Sequence, residues 1–80
     1  MLVVNTYKFF TITTCTKCPE IREFLKGANL KGEEINATSE EGFEESKKHN
    51  VLAAPTVIFF DENGDEVGRA GTIEEIKKWI

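Results

Sequence analysis

Cysteine is scarce in this chain, and so are cationic side chains and long apolar runs. Its 80 residues hold two cysteines and one histidine, with 10 basic residues against 14 acidic ones. Two cysteines cannot build the multiply bridged framework of a small secreted scaffold. A net charge of −4 leaves no basic stripe to neutralise phosphates, which argues against nucleic acid and against an anionic membrane surface as partners. No stretch approaches the roughly 18 apolar residues that a membrane-spanning helix needs. The opening segment, Met1 to Lys8, has no basic flank, and Asn5, Thr6 and Lys8 interrupt its apolar character. It therefore does not read as a signal peptide, and the expectation is a cytoplasmic protein whose thiols are held reduced. Repeats, low-complexity tracts and linkers are missing too, so residues 1–80 read as a single domain, monomeric by default.

What is present is an ordinary globular composition, 40% hydrophobic and 30% charged, on a chain long enough for one small core. Residues 2–12 are rich in β-branched and aromatic types. Apolar residues fall on both parities, Val3, Tyr7 and Phe9 against Val4, Phe10 and Ile12, the pattern of a central strand covered on both faces. Pro19 suits the first turn of a helix. That helix carries Ile21, Phe24, Leu25 and Ala28 at helical spacing and exits at Gly27 and Asn29. Residues 31–36 read as a weaker strand at a sheet edge.

A second helix is expected from a capping box at Thr38 to Glu41 as far as His49, with a sparse apolar face around Phe43 and Ser46. Thr56 to Phe60 is the strongest strand signal in the chain. Asn63-Gly64 then predicts a tight hairpin turn before a returning strand, Glu66 to Ala70. Thr72 to Glu75 is a second capping box, opening a helix with Ile73, Ile76, Trp79 and Ile80 on one face. The order β-α-β-α-β-β-α implies a right-handed crossover between parallel strands at the front and an antiparallel pair at the back. A four-stranded mixed α/β sheet with helices on both faces satisfies both.

The chemistry lies at Cys15-Thr16-Lys17-Cys18-Pro19, where the first strand hands over to the first helix. First-turn N–H groups have no intrahelical acceptor, and with the helix dipole they favour a nearby anion. A thiolate at Cys15 is expected to ionise below the free value of about 8.5, with Lys17 adding charge of the favourable sign. Cys15 should be the more exposed sulfur and Cys18 the more buried. Cys15 then attacks a substrate disulfide, and Cys18 resolves the mixed disulfide by attacking Cys15. A purely structural pair and a metal site are the alternatives. Zinc normally takes four ligands, and the other available one is His49, which reads as a surface or cap residue.

Three features resemble the thioredoxin superfamily. Phe10 to Pro19 is a strand running into a dithiol at a helix start. Val51-Leu-Ala-Ala-Pro55-Thr56-Val57 is similar to the family's cis-proline loop, and Gly68-Arg-Ala-Gly71-Thr72 to its glycine before the last helix. The resemblance implies a minimal thioredoxin fold, a cis Ala54–Pro55 bond, and a backbone at Ala54 on which a substrate strand can pair. It implies catalytic Cys15 and Cys18, with Thr16, Lys17, Ala54, Pro55 and Gly71 binding substrate. No metal and no cofactor beyond the Cys15–Cys18 redox disulfide are expected. The implied partners are disulfide-containing proteins and a reductant, either of thioredoxin-reductase type or glutathione.

The chain departs from the family at several positions. Thr14 and Phe9 stand where thioredoxins carry tryptophan and a buried aspartate, leaving water or the Cys15 thiolate to accept the Cys18 proton. Ile12 and Ala70-Gly71-Thr72-Ile73 stand where glutaredoxins carry a basic residue and a Gly-Gly-x-Asp segment. Thioredoxin-like reduction of protein disulfides is thus favoured over glutathione-linked chemistry.

Overall fold

A computed structural model describes residues 4–80. Seven elements follow in order: β1 (Thr6–Thr11), α1 (Cys18–Gly27), β2 (Lys31–Asn36), α2 (Glu40–Lys48), β3 (Thr56–Phe60), β4 (Glu66–Ala70) and α3 (Ile73–Ile76). They form a mixed sheet in the order β2-β1-β3-β4. β1 runs parallel to β2 and antiparallel to β3, and β3 is antiparallel to β4. Leu2 and Val3, expected in the first strand, lie outside the described residues.

The doubled apolar parity of the central strands now has its cause. Phe9, Val57 and Phe59 point to one face, where Cys18, Ile21 and Leu25 of α1 and Ile76 of α3 pack against them. Phe10, Ile58 and Phe60 point to the other, joined by Ile35 and Val51. The His49 ring at the end of α2 sits edge-on to Phe10 and Phe60 there. Burying each such large apolar side chain stabilises the fold by about 1.5–3 kcal/mol. β2, almost wholly exposed, is an edge strand whose charges discourage pairing with another chain.

Three local expectations are corrected. The cap of α2 is Ser39, whose Oγ accepts from the Gly42 N–H at 2.9 Å. Thr38 sits one residue before the cap position, in a turn where its N–H donates to Asn36 Oδ1 at 2.8 Å and its hydroxyl donates to the same oxygen. Phe43 is 53% exposed rather than core-facing, with Lys47 Nζ lying 4.9 Å from the centre of its ring.

The hairpin is not a two-residue turn. Gly64 has a positive φ of 83°, while Asn63 does not. Asp61 organises a longer loop, its Oδ1 accepting from the N–H groups of Asn63 and Asp65. A bulge follows, since Phe59 pairs with Gly68 but Phe60 with Glu66. Asn-Gly marked the turn correctly, but the aspartate's two bonds set its length.

Candidate functional site

The sheet register assembles the site. Phe10 is opposite Thr56, so the chain leaving β1 and the chain entering β3 meet at one end of the sheet. Val57 is opposite Ala70, which brings Gly71 to the same end. A Cβ added to Gly71 would lie 3.4 Å from the Pro55 carbonyl oxygen. Three segments distant in sequence thus share one rim: the cysteine loop, the Ala54–Pro55 loop and the approach to α3.

Cys15 and Cys18 are joined in a disulfide with an S–S distance of 2.11 Å and a Cα–Cα distance of 5.5 Å. Cys18 is 2% exposed and part of the core cluster, and Cys15 is partly exposed at its edge. A short turn sets this difference, the Cys15 N–H donating to the Ile12 carbonyl at 3.1 Å before Cys18 enters α1. Lys17 is the cap residue of α1 and supplies no side-chain hydrogen bond, and proline occupies the first turn. The amides at this helix start therefore have no capping oxygen and remain available to a sulfur anion.

Thr16 and Lys17 are exposed, whereas Ala54, Pro55 and Gly71 are partly buried. The Ala54–Pro55 peptide bond is cis. Lys17, Glu20 and Ile21 face Gly71, Thr72 and Glu74 across a cleft of about 350 Å³. The Gly71 N–H is already engaged, donating to Glu75 Oε1 at 3.1 Å, and Thr72 Oγ1 accepts from the Glu75 N–H at 3.2 Å. The expected second capping box therefore forms, with its return bond one residue earlier than usual.

Leu52, in the loop before Ala54, is 97% exposed, and Ile12, whose carbonyl receives the Cys15 N–H, is 37% exposed. Ile12, expected as an apolar residue of the first strand, lies just past the end of β1 at Thr11 and is exposed instead, and Leu52 gave no strand or helix signal because it lies in a connecting segment. A larger apolar groove of about 670 Å³, lined by Val4, Phe24, Leu30 and Trp79, adjoins the Gly27 end of α1. It lies a helix length, roughly 15 Å, from the sulfurs. His49 is on the sheet face opposite Cys18, near Glu45 rather than the dithiol. Among the described residues no group of three or more His, Cys, Asp or Glu side chains is arranged to hold a metal ion.

No family model matches the chain. Over 49 residues it is 41% identical to the thiol:disulfide interchange protein DsbD of Cronobacter sakazakii, a match covering 61% of this chain and 8% of that protein. Among solved structures it is similar to oxidised thioredoxin O2 of Arabidopsis thaliana, at TM-score 0.76 and 19% identity over 94% of this chain and 69% of that one. It is similar also to reduced thioredoxin of Schistosoma mansoni, at TM-score 0.72 and 25% identity over 98% and 81%. Thioredoxin 1 of Thermosipho africanus gives TM-score 0.70 and 23% identity over 91% and 83%. By its architecture the chain has the thioredoxin fold, with a Cys-x-x-Cys disulfide spanning the end of its first loop and the start of its first helix.

Proposed function

We propose that the protein is a thiol–disulfide oxidoreductase that reduces disulfides of protein substrates by dithiol exchange. The observation that carries this reading is the asymmetry of one sulfur pair at an uncapped helix start, with Cys18 buried and Cys15 at the surface. In the reduced form the Cys15 thiolate attacks one sulfur of the substrate disulfide. The substrate S–S bond breaks, and its other sulfur leaves as a thiolate that takes up a proton. Cys18, deprotonated by water or by the departing thiolate, then attacks Cys15 Sγ. This releases the second substrate thiol and forms the Cys15–Cys18 disulfide. Two electrons pass to the substrate, and an external reductant returns them.

Two features favour a polypeptide substrate over glutathione. Leu52 and Ile12 offer apolar side chains near the dithiol rim. The cleft beside Cys18 sets two carboxylates, Glu20 and Glu74, against the single cation Lys17, a poor match for the carboxylates of glutathione. A reductase of thioredoxin-reductase type is therefore the favoured source of electrons. The protein works without a bound cofactor, in a reducing cytoplasm, as a monomer.

The test is insulin reduction with a thioredoxin-type reductase and NADPH, set beside the same assay with glutathione as sole reductant. Turnover in the first and little in the second is expected, with a two-electron couple between about −120 and −270 mV. Absence of any reversible couple overturns the enzyme reading. Turnover with glutathione alone replaces it with a glutaredoxin activity.

A further inference from the structure

We infer that Arg69 is a positioning residue for substrate, acting through the loop from Val51 to Pro55. The inference rests on the reading above that this loop receives the substrate strand. The loop begins where α2 ends. Asn50 has a left-handed φ of 54°, its N–H donates to the Lys47 carbonyl, and the Val51 N–H donates to the Ser46 carbonyl. This is a Schellman ending, with asparagine in the place usually held by glycine. It turns the chain sharply toward the site and leaves the next carbonyls, those of His49 and Asn50, outside the helix.

Arg69 collects both. Its Nη2 donates to the His49 carbonyl, and its Nη1 donates to the Asn50 carbonyl at 3.3 Å. The same guanidinium is gripped from behind by Glu66, Nε to Oε2 at 2.6 Å and Nη2 to Oε1 at 3.0 Å. Both residues belong to β4, which is hydrogen-bonded to β3. The origin of the loop is thereby tied to the strand that flanks its exit. At the far end Thr56 Oγ1 donates to the Ala53 carbonyl at 2.6 Å. Between these two clamps Leu52 and Ala53 are exposed.

Only a planar, multiply donating group serves here. Arginine spans two backbone carbonyls and a carboxylate at once, whereas lysine presents a compact charge that cannot hold all of them. Residues 19 and 20 positions apart make the contact, and Arg69 itself lies outside the rim that carries the dithiol. It affects exchange through the loop, not through the sulfurs.

The test compares Arg69→Ala and Arg69→Lys with the parent protein on two substrates, a protein disulfide and a small aromatic disulfide. Arg69→Ala is expected to raise KM for the protein disulfide about five- to tenfold. Its kcat, its rate with the small disulfide and the alkylation rate of Cys15 should each stay within about twofold. Arg69→Lys should recover part of the loss. Hydrogen exchange at the amides of Leu52, Ala53 and Ala54 should accelerate in Arg69→Ala. If that variant does not fold, Glu66→Gln, which weakens only the rear grip, should show the same exchange change and a smaller rise in KM.

Unchanged KM and unchanged loop exchange in a folded variant overturn the inference. So does an equal loss on both substrates, which marks a general structural role. If the parent protein reduces no protein disulfide, the functional reading fails instead, and loop exchange alone still decides whether Arg69 holds the loop.

Discussion

The carbonyl oxygen of Asn36 occupies the place where a side chain on Gly42 would begin, since a Cβ there would lie 1.8 Å from it. The start of α2 is thus pressed onto the end of β2, and Ser39 completes the joint by donating its N–H and its hydroxyl to that same oxygen. Gly42→Ala adds a better helix former, worth about 1 kcal/mol at an open site. Here the clash is with backbone, which cannot swing aside, and overpacking of this kind costs about 1–3 kcal/mol. The net expectation is a less stable protein with a lower urea midpoint and a melting temperature depressed by several degrees. An unchanged or raised midpoint contradicts the packing of α2 on β2.

Acid should destabilise the fold through three carboxylates. Hydrogen bonds from Arg22, Lys8 and Arg69 hold Glu34, Glu45 and Glu66, respectively, below the ordinary carboxylate range. A carboxyl that is more acidic folded than unfolded contributes stability above its unfolded value. That contribution fades as pH falls through the ordinary range toward the lowered folded value. Stability is therefore expected to be level near neutrality and to fall with acid below about pH 5. Lys8 donates to Glu45 at 2.6 Å and ties β1 to α2, so Lys8→Met should flatten part of that slope. These pairs keep contact with solvent, which screens them, so each effect is small. Denaturant titrations across pH for both proteins provide the check, and identical slopes refute the assignment to Glu45.

The element order was legible because each segment carries its own signal: two-sided apolar strands, Pro19 at a helix start, and Thr72 with Glu75 at another. The dithiol and the Ala54–Pro55 loop were legible as motifs for the same reason, being short and contiguous. Tertiary competition hid the rest. Thr38 looks like a cap until the turn from Asn36 sets Ser39 at the helix start, and Phe43 looks like core until α2 turns it outward. Arg69 gave no signal at all, because its role depends on carbonyls about twenty residues away. Gly42 is a poor helix former by its own propensity, yet the approach of the Asn36 carbonyl requires it.

Leu52 should matter for substrate and not for folding. At 97% exposure its side chain has almost no protein neighbours to lose, and surface substitutions of this kind shift stability by no more than about 0.5 kcal/mol. On a bound polypeptide, however, it would bury apolar area beside the reacting sulfurs. Leu52→Asp is therefore expected to raise KM for protein disulfides about three- to tenfold, with an unchanged melting temperature and an unchanged rate on a small disulfide. Equal KM values for the two proteins remove Leu52 from the substrate surface.

The unequal burial of the two sulfurs makes its own prediction about which variant does what. Cys15 is the sulfur that reaches solvent, so Cys15→Ser should abolish disulfide reduction, leaving buried Cys18 slow toward alkylating reagents. Cys18→Ser keeps the attacking thiolate and loses the resolving one, so it should accumulate mixed disulfides with protein substrates, visible on non-reducing gels and released by dithiothreitol. In the reduced parent protein, Cys15 should alkylate faster than Cys18 at neutral pH, with a rate that titrates below the free thiol value of about 8.5. The buried partner cannot mimic this behaviour, because alkylation needs both ionisation and access. If the two sulfurs alkylate at the same rate, with a midpoint at the free value, the helix start does not activate Cys15, and the exchange mechanism loses its nucleophile.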